Sequence, residues 1–283
     1  MGENDFLMAG QLYGVNLLDA LRVAPGPDSV WTGTAILGGD GVAFGGQMAA
    51  QALMAARAVE PGRPPESIHS FFLAPAKPDR LIDHEVRVLR SGRSFSLLRV
   101  ETRQEGRHCL SSVISFHGGE SAPEHQAPMP PAGSPEDYPA CDFIPPNTDP
   151  AVRRCFDIRS VESIASTSDG SYPRQTYWLR HRGELGADPA LHCAALTWFA
   201  DLSMPWTTDL AYDESHGRRV GATLDHTLWF HRPPRADRWL LFVQESTVYA
   251  GARALTRGLF FAQDGALVAS AAQETLLRRL PPQ

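Results

Sequence analysis

The sequence predicts an α+β chain made of one unit built twice, two short antiparallel sheets joined into one and wrapped around two helices. Three observations predict it. The block G-A-T-L-D-H-T-L-W-F-H-R-P at residues 221–233 has a weaker echo, S-I-H-S-F-F-L-A-P, at residues 67–75. Both read as apolar, aromatic, histidine-containing strands that stop at a proline. Landmarks also recur at a nearly constant spacing: His69 and His226 lie 157 residues apart, and Gly92/Gly251, Gly106/Gly265 and Ser111/Ser270 each lie 159 apart. Finally, both halves run helix, strand, strand, strand, hairpin turn, strand. One such unit leaves part of its helix uncovered, and two side by side cover both.

A helix is expected over residues 5–23 and a strand over 29–37. Residues 38–47, G-G-D-G-V-A-F-G-G-Q, form a loop whose glycines let the backbone approach another group. It opens a helix over 47–59, almost wholly alanine and apolar, ended by Pro61-Gly62. No G-K-[ST] follows the glycines and no G-x-G-x-x-G follows a strand, so neither nucleotide-binding loop fits. What remains is a helix N-terminus whose N–H groups suit a carbonyl oxygen or an anion, or else a plain turn into a core helix. Strands follow at 68–73, at 81–90 with Ile82, His84, Val86 and Val88 on one face, at 95–104 and at 108–117. Glu105-Gly106 is the hairpin turn between the last two.

Nine of the 23 prolines fall between Pro123 and Pro150, which marks a linker. A strand over 175–182 opens the second unit. Asp188 as N-cap and Pro189 at the first helical position start the second long helix, which should end before Pro205 or shortly after it. Strands follow at 222–231, 239–249, 253–262 and 266–277, with turns at Gly251 and at Gln263-Asp264-Gly265.

With 43% hydrophobic and 20% charged residues, the chain has material for a large core. A net charge of −6 argues against a nucleic-acid partner. Cys109, Cys141, Cys155 and Cys193 match neither a disulfide framework nor a metal site and read as reduced, buried thiols. The sequence offers no secretory signal and no apolar run long enough for a membrane span, so a cytoplasmic location is expected.

The chain resembles the acyl-CoA thioesterase II family of double-hotdog proteins. The residues that carry the resemblance are F-G-G-Q at 44–47, R-x-G-x-S-F at 90–95, A-D-L at 200–202, A-T-L-D-H-T-L-W-F-H-R-P at 222–233 and Q-D-G-A-L-V-A-S-A-A-Q-E at 263–274. It implies two hotdog units, at 1–118 and 171–283, separated by the proline-rich linker at 119–170. It also implies hydrolysis of acyl-CoA of medium to long chain, and assembly into homo-oligomers through the sheets. In that family an Asp on the second hotdog helix, a Thr or Ser on the next strand and a Gln on the last strand hold the hydrolytic water. By position these are Asp201, Thr223 and Gln273.

The same residues can be read from their own chemistry. Asp201 continues an apolar helix face, so its carboxylate is either partnered inside, placed for general-base work, or solvated in a last turn close to Pro205. By simple alternation Thr223 shares a strand face with Asp225, Thr227 and Trp229. Gln273 lies among Leu267, Ala269, Ala271 and Thr275, where its amide needs partners. Shifted back by the repeat, Gln273 falls on Ile114 and Thr223 on Glu66, so the first half lacks the polar set. Its contribution would be the Gly45-Gly46-Gln47 helix start, which can polarise a thioester carbonyl. His69 and His226 fall at equivalent strand positions. Both are read as core histidines, with His69 also a candidate substrate contact. The chemistry calls for no metal and no redox cofactor. A hydratase acting on enoyl-CoA and a non-catalytic acyl-CoA binder are the alternatives. The first lacks its histidine–aspartate motif, and the second sits poorly with all three polar residues being present.

Overall fold

A computed structural model of the chain describes residues 16–38, 41–141, 155–164, 172–210 and 219–279. Short α1 (Leu17–Ala20) is what the structure shows of the first helix expected over 5–23; it ends at Ala20, three residues early, and residues 5–15 lie outside the described residues. The first half continues with β1 (Ala24–Pro25), β2 (Val30–Thr34), α2 (Gly45–Val59), β3 (Pro65–Phe72), β4 (Leu81–Ser91), β5 (Phe95–Gln104) and β6 (Arg107–His117). After β7 (Phe156–Ile164), the second half runs β8 (Arg174–His181), α3 (Pro189–Asp209), β9 (Arg219–Phe230), β10 (Leu240–Ala250), β11 (Arg253–Ala262) and β12 (Leu267–Arg279).

The strands form one sheet in the order β1-β2-β4-β5-β6-β3-β9-β12-β11-β10-β8-β7. Each half repeats the same local order outward from the central β3·β9 seam, as the double-hotdog expectation requires. The seam is antiparallel, with Ile68 opposite Leu228 and Ser70 opposite His226. Behind it α2 and α3 pack on one face of the sheet. Ten of the 15 residues of α2 are buried, which is why that helix is built of alanine and other small or apolar side chains.

Strand pairing corrects the spacing of the repeat. Ile68 lies opposite Ile114 as His226 lies opposite Gln273, and Pro65 opposite Phe116 as Thr223 lies opposite Thr275. The offset between β3 and β9 is therefore 158 residues (68 to 226, 65 to 223). His226 corresponds to Ile68 and Thr223 to Pro65. The 157-residue match of His69 with His226 was one position out, and one position on a strand is the opposite face.

Three more expectations change. The stretch 119–170 read as linker contains β7, which pairs with β8 at the sheet edge. Val88 keeps the register, opposite Leu98, but is exposed where Ile82, His84 and Val86 are buried, and the alternation ends at the bulge that follows it. Helix α3 does not stop at Pro205 but runs to Asp209. Beyond the proline, Thr207 bonds to Gln244, and Thr208 bonds to Ser246 and Thr256, so the sheet below holds the last turn in place. Of the cysteines, Cys109 and Cys193 are buried, whereas Cys141 and Cys155 are only partly so.

Candidate active site

Asp201 lies in the middle of α3, two turns before its end, and is 6% exposed. The solvated last-turn reading fails because the helix continues. Pro205, four residues on, lacks the N–H that would bond the Asp201 carbonyl, so the helix is loosened at this turn.

Thr223 reaches the same point from β9. Simple alternation would turn it outward with Asp225, Thr227 and Trp229. A bulge places Asp225 opposite Glu274 but Thr223 opposite Thr275, leaving Leu224 as the extra residue. The bulge carries Thr223 to the inner face, where its hydroxyl donates to Asp201 Oδ1 at 3.0 Å. Asp225 stays outside and accepts the Glu274 N–H. Gln273, on β12, is fully buried. Its amide nitrogen donates to Asp201 Oδ1 at 3.0 Å and to Thr223 Oγ1 at 2.9 Å. Three elements far apart in sequence thus deliver one closed hydrogen-bonded triangle.

The first half meets this triangle at the start of α2. A Cβ on Gly45 would lie 3.1 Å from Asp201 Oδ2, and one on Gly46 would lie 2.9 Å from the Trp198 carbonyl oxygen and 3.0 Å from Asp201 Cβ. The two glycines are what let α2 and α3 approach so closely. Phe44 provides no side-chain cap for α2, so the first-turn N–H groups lack both an intrahelical acceptor and a capping side chain. The start of α2, the positive end of a helix, thus lies close to the carboxylate. The Phe44 ring meets Trp198 edge-on at 5.1 Å and helps fix the crossing.

Of the expected substrate contacts, Gln47 keeps its backbone N–H at the start of α2, whereas His69 lies elsewhere. The Gln47 side chain faces the N-terminal segment: Oε1 accepts the Ile36 N–H, and Nε2 donates to the carbonyls of Ala20 and Thr34. Only its backbone N–H belongs to the helix start. His69 pairs with Thr227 on the outer face of the sheet, where its ring stands edge-on to Trp229 at 5.2 Å. It is separated from Asp201 by the sheet itself. His226 is different. It is inward, fully buried, and its Nε2 lies 3.1 Å from the Thr197 carbonyl, one turn before Asp201. Its place beside Gln273 was hidden in the sequence by the one-residue error in the repeat.

The corresponding place in the other half is not equipped alike. Pro65 and Ile114 stand where Thr223 and Gln273 stand. The N-terminus of α3 is closed by the Asp188 carboxylate, which accepts the Ala190 N–H, and by Pro189, which has no N–H. A cleft of about 170 Å³ remains there, lined by Pro65, Glu66, His117, Phe230 and His231 among others. Among the described residues no cluster of three or more His, Cys, Asp or Glu is placed to hold a metal ion. No described helix is long and apolar enough to cross a membrane.

The chain resembles known proteins in sequence and in fold. The family profile of the acyl-CoA thioesterase N-terminal domain matches residues 37–117, and that of the acyl-CoA thioesterase C-terminal domain matches residues 135–277. Acyl-CoA thioesterase 2 of Haemophilus influenzae is 34% identical over 278 residues, covering 93% of this chain and 97% of that protein. The crystal structure of an acyl-CoA thioesterase II from Mycobacterium marinum superposes with a TM-score of 0.81 at 33% identity, over 93% of this chain and 98% of that one. A hot-dog-fold protein from Alicyclobacillus acidocaldarius superposes with a TM-score of 0.78 at 23% identity, over 94% of this chain and 98% of that one, which bears on the fold alone.

Proposed function

The chain belongs to the acyl-CoA thioesterase II family, and on that premise we propose that it is a thioester hydrolase that splits fatty acyl-CoA of medium to long chain into free fatty acid and coenzyme A. The observation that carries this reading is the triangle of Asp201, Thr223 and Gln273, whose members bond to one another at 2.9–3.0 Å directly beneath the open start of α2. A thioester needs only a positioned water, a base to take its proton, and donors for the oxygen that becomes negative. Asp201 is the base. Thr223 and Gln273 hold the carboxylate in place, and the carboxylate in turn holds the water. The thioester carbonyl oxygen rests on the N–H groups of Gly45, Gly46 and Gln47, where charge develops as the water attacks. The C–S bond then breaks, and the coenzyme A sulfur leaves with the electron pair.

The chain works with one such site, in its second half, with the first half supplying the helix end. Release of free thiol from acyl-CoA, followed across a series of chain lengths, tests the assignment. Turnover that peaks at medium to long chains supports it. Hydration of enoyl-CoA without thiol release, or saturable binding without turnover, contradicts it.

A further inference from the structure

His226 sits against the hydrolytic triangle without a part in the attack. It is the direct neighbour of Gln273 across β9 and β12. Its Nε2 meets the Thr197 carbonyl, and a carbonyl only accepts, so Nε2 carries the ring hydrogen. Nδ1 then holds a lone pair whenever the ring is neutral. Neutral is the favoured state, because burial pulls the ring pKa below its usual value against the opposing pull of the Asp201 carboxylate. Nδ1 is buried and has no hydrogen-bond partner.

The neighbouring amide is short of a partner in the same way. Both N–H bonds of Gln273 are given to Asp201 and Thr223, and its Oε1 is buried with nothing to accept from. Two neighbouring buried acceptors are therefore without a partner, each costing about 1–3 kcal/mol while unsatisfied. Turning the amide end for end would let Nε2 donate to His226 Nδ1. It would also bring Oε1 against Asp201, where it repels a carboxylate but accepts from a carboxylic acid. In the first half the same two positions are Ile68 opposite Ile114, an apolar pair with nothing to turn.

We propose that His226 is a positioning residue for hydrolysis: its Nδ1 gives the Gln273 amide a second seat, taken while Asp201 holds the proton removed from water. The proposal rests on Asp201 being the base. As the water oxygen bonds to the thioester carbon, the proton passes to the Asp201 carboxylate. The amide turns, so that Oε1 accepts from the carboxyl hydrogen on Oδ1 and Nε2 donates to Nδ1. When the C–S bond breaks, the sulfur takes the electron pair and then the proton from Asp201, and the amide turns back.

Three variants separate this from a purely structural histidine. His226→Asn keeps an acceptor where Nδ1 lies. His226→Gln keeps an N–H where Nε2 lies, for the Thr197 carbonyl, but loses the acceptor. His226→Ile removes both and copies the residue that the first half carries at this position. Steady-state thiol release should show kcat lowered about tenfold or more in the Gln and Ile variants, with KM within about twofold, and largely kept in the Asn variant. Activity kept by Gln and lost by Asn would assign only the bond to Thr197 and overturn the proposal. Wild-type kcat in His226→Ile, or equal loss in all three, would overturn it as well. Asp201→Asn is run alongside. If that variant is fully active, it is the hydrolytic reading that has failed, not the second seat alone.

Discussion

The close crossing of α2 over α3 makes a prediction with two separable parts. In Gly46→Ala the new methyl would stand 2.9 Å from the Trp198 carbonyl oxygen and 3.0 Å from Asp201 Cβ. Ordinary contact begins near 3.4 Å, so the helices must part by about half an ångström. The Trp198 carbonyl is helix backbone and cannot swing aside, whereas the Phe44 ring edge, nearer still at 2.7 Å, is a side chain that can. Overpacking of this kind costs about 1–3 kcal/mol, offset by up to about 1 kcal/mol because alanine is the better helix former. The net loss should lower the melting temperature by roughly 2–8 °C. In Gly45→Ala the methyl meets the edge of the Phe72 ring at 2.8 Å and Asp201 Oδ2 at 3.1 Å, both of which are side-chain atoms that can move. Stability should stay within about 0.5 kcal/mol of wild type. The carboxylate, however, must shift by about 0.3 Å to reach ordinary contact, and since a full ångström costs about a hundredfold, kcat should fall by about two- to fivefold. Thermal melts with thiol-release kinetics on both variants test the pair. A Gly46→Ala protein with unchanged melting temperature, or a Gly45→Ala protein with wild-type kcat, would refute the geometry.

His84 is fully buried between Thr102 and Gln51, and burial pushes its pKa from 6.5 down to about 3. The unfolded chain therefore holds the extra proton first. Its contribution to stability is intact above about pH 6.5 and is lost as pH falls toward about 3, at up to about 1.4 kcal/mol per pH unit. Buried His226 adds in the same direction. Urea unfolding between pH 7 and pH 5 should show the slope, and His84→Gln should flatten it. A slope unchanged in that variant would remove His84 as its source. Pro205→Ala would restore the N–H that the Asp201 carbonyl lacks and should raise the melting temperature, by about 1–3 kcal/mol of stability. A fall on melting would mean that the packing of α3 requires the proline.

Much of this was legible in the residues. Both hairpin turns, Glu105-Gly106 and the one around Gly265, sit at left-handed backbone positions that glycine allows, and β5 and β11 fall where alternation puts them. Asp188 and Pro189 announced the start of α3. What stayed hidden depends on contacts across the sheet. The inward turn of Thr223 follows from a bulge, and nothing in A-T-L-D-H marks Leu224 as the extra residue. The true partner of His226 was obscured because the repeat is 158 residues long along β3 and β9 but 159 at Ser111 and Ser270, and a shift of one residue exchanges the faces. The run of α3 past Pro205 depends on Gln244, Ser246 and Thr256, which lie far along the chain from the proline.

The measurement that bears most directly on the account is steady-state thiol release from acyl-CoA by Asp201→Asn, with the fold checked by thermal melting. The substitution keeps the size of the side chain and removes only its capacity to take a proton. The account predicts a folded protein whose kcat has fallen by about a hundredfold or more while KM stays close to wild type. A folded variant that releases coenzyme A at the wild-type rate would contradict it.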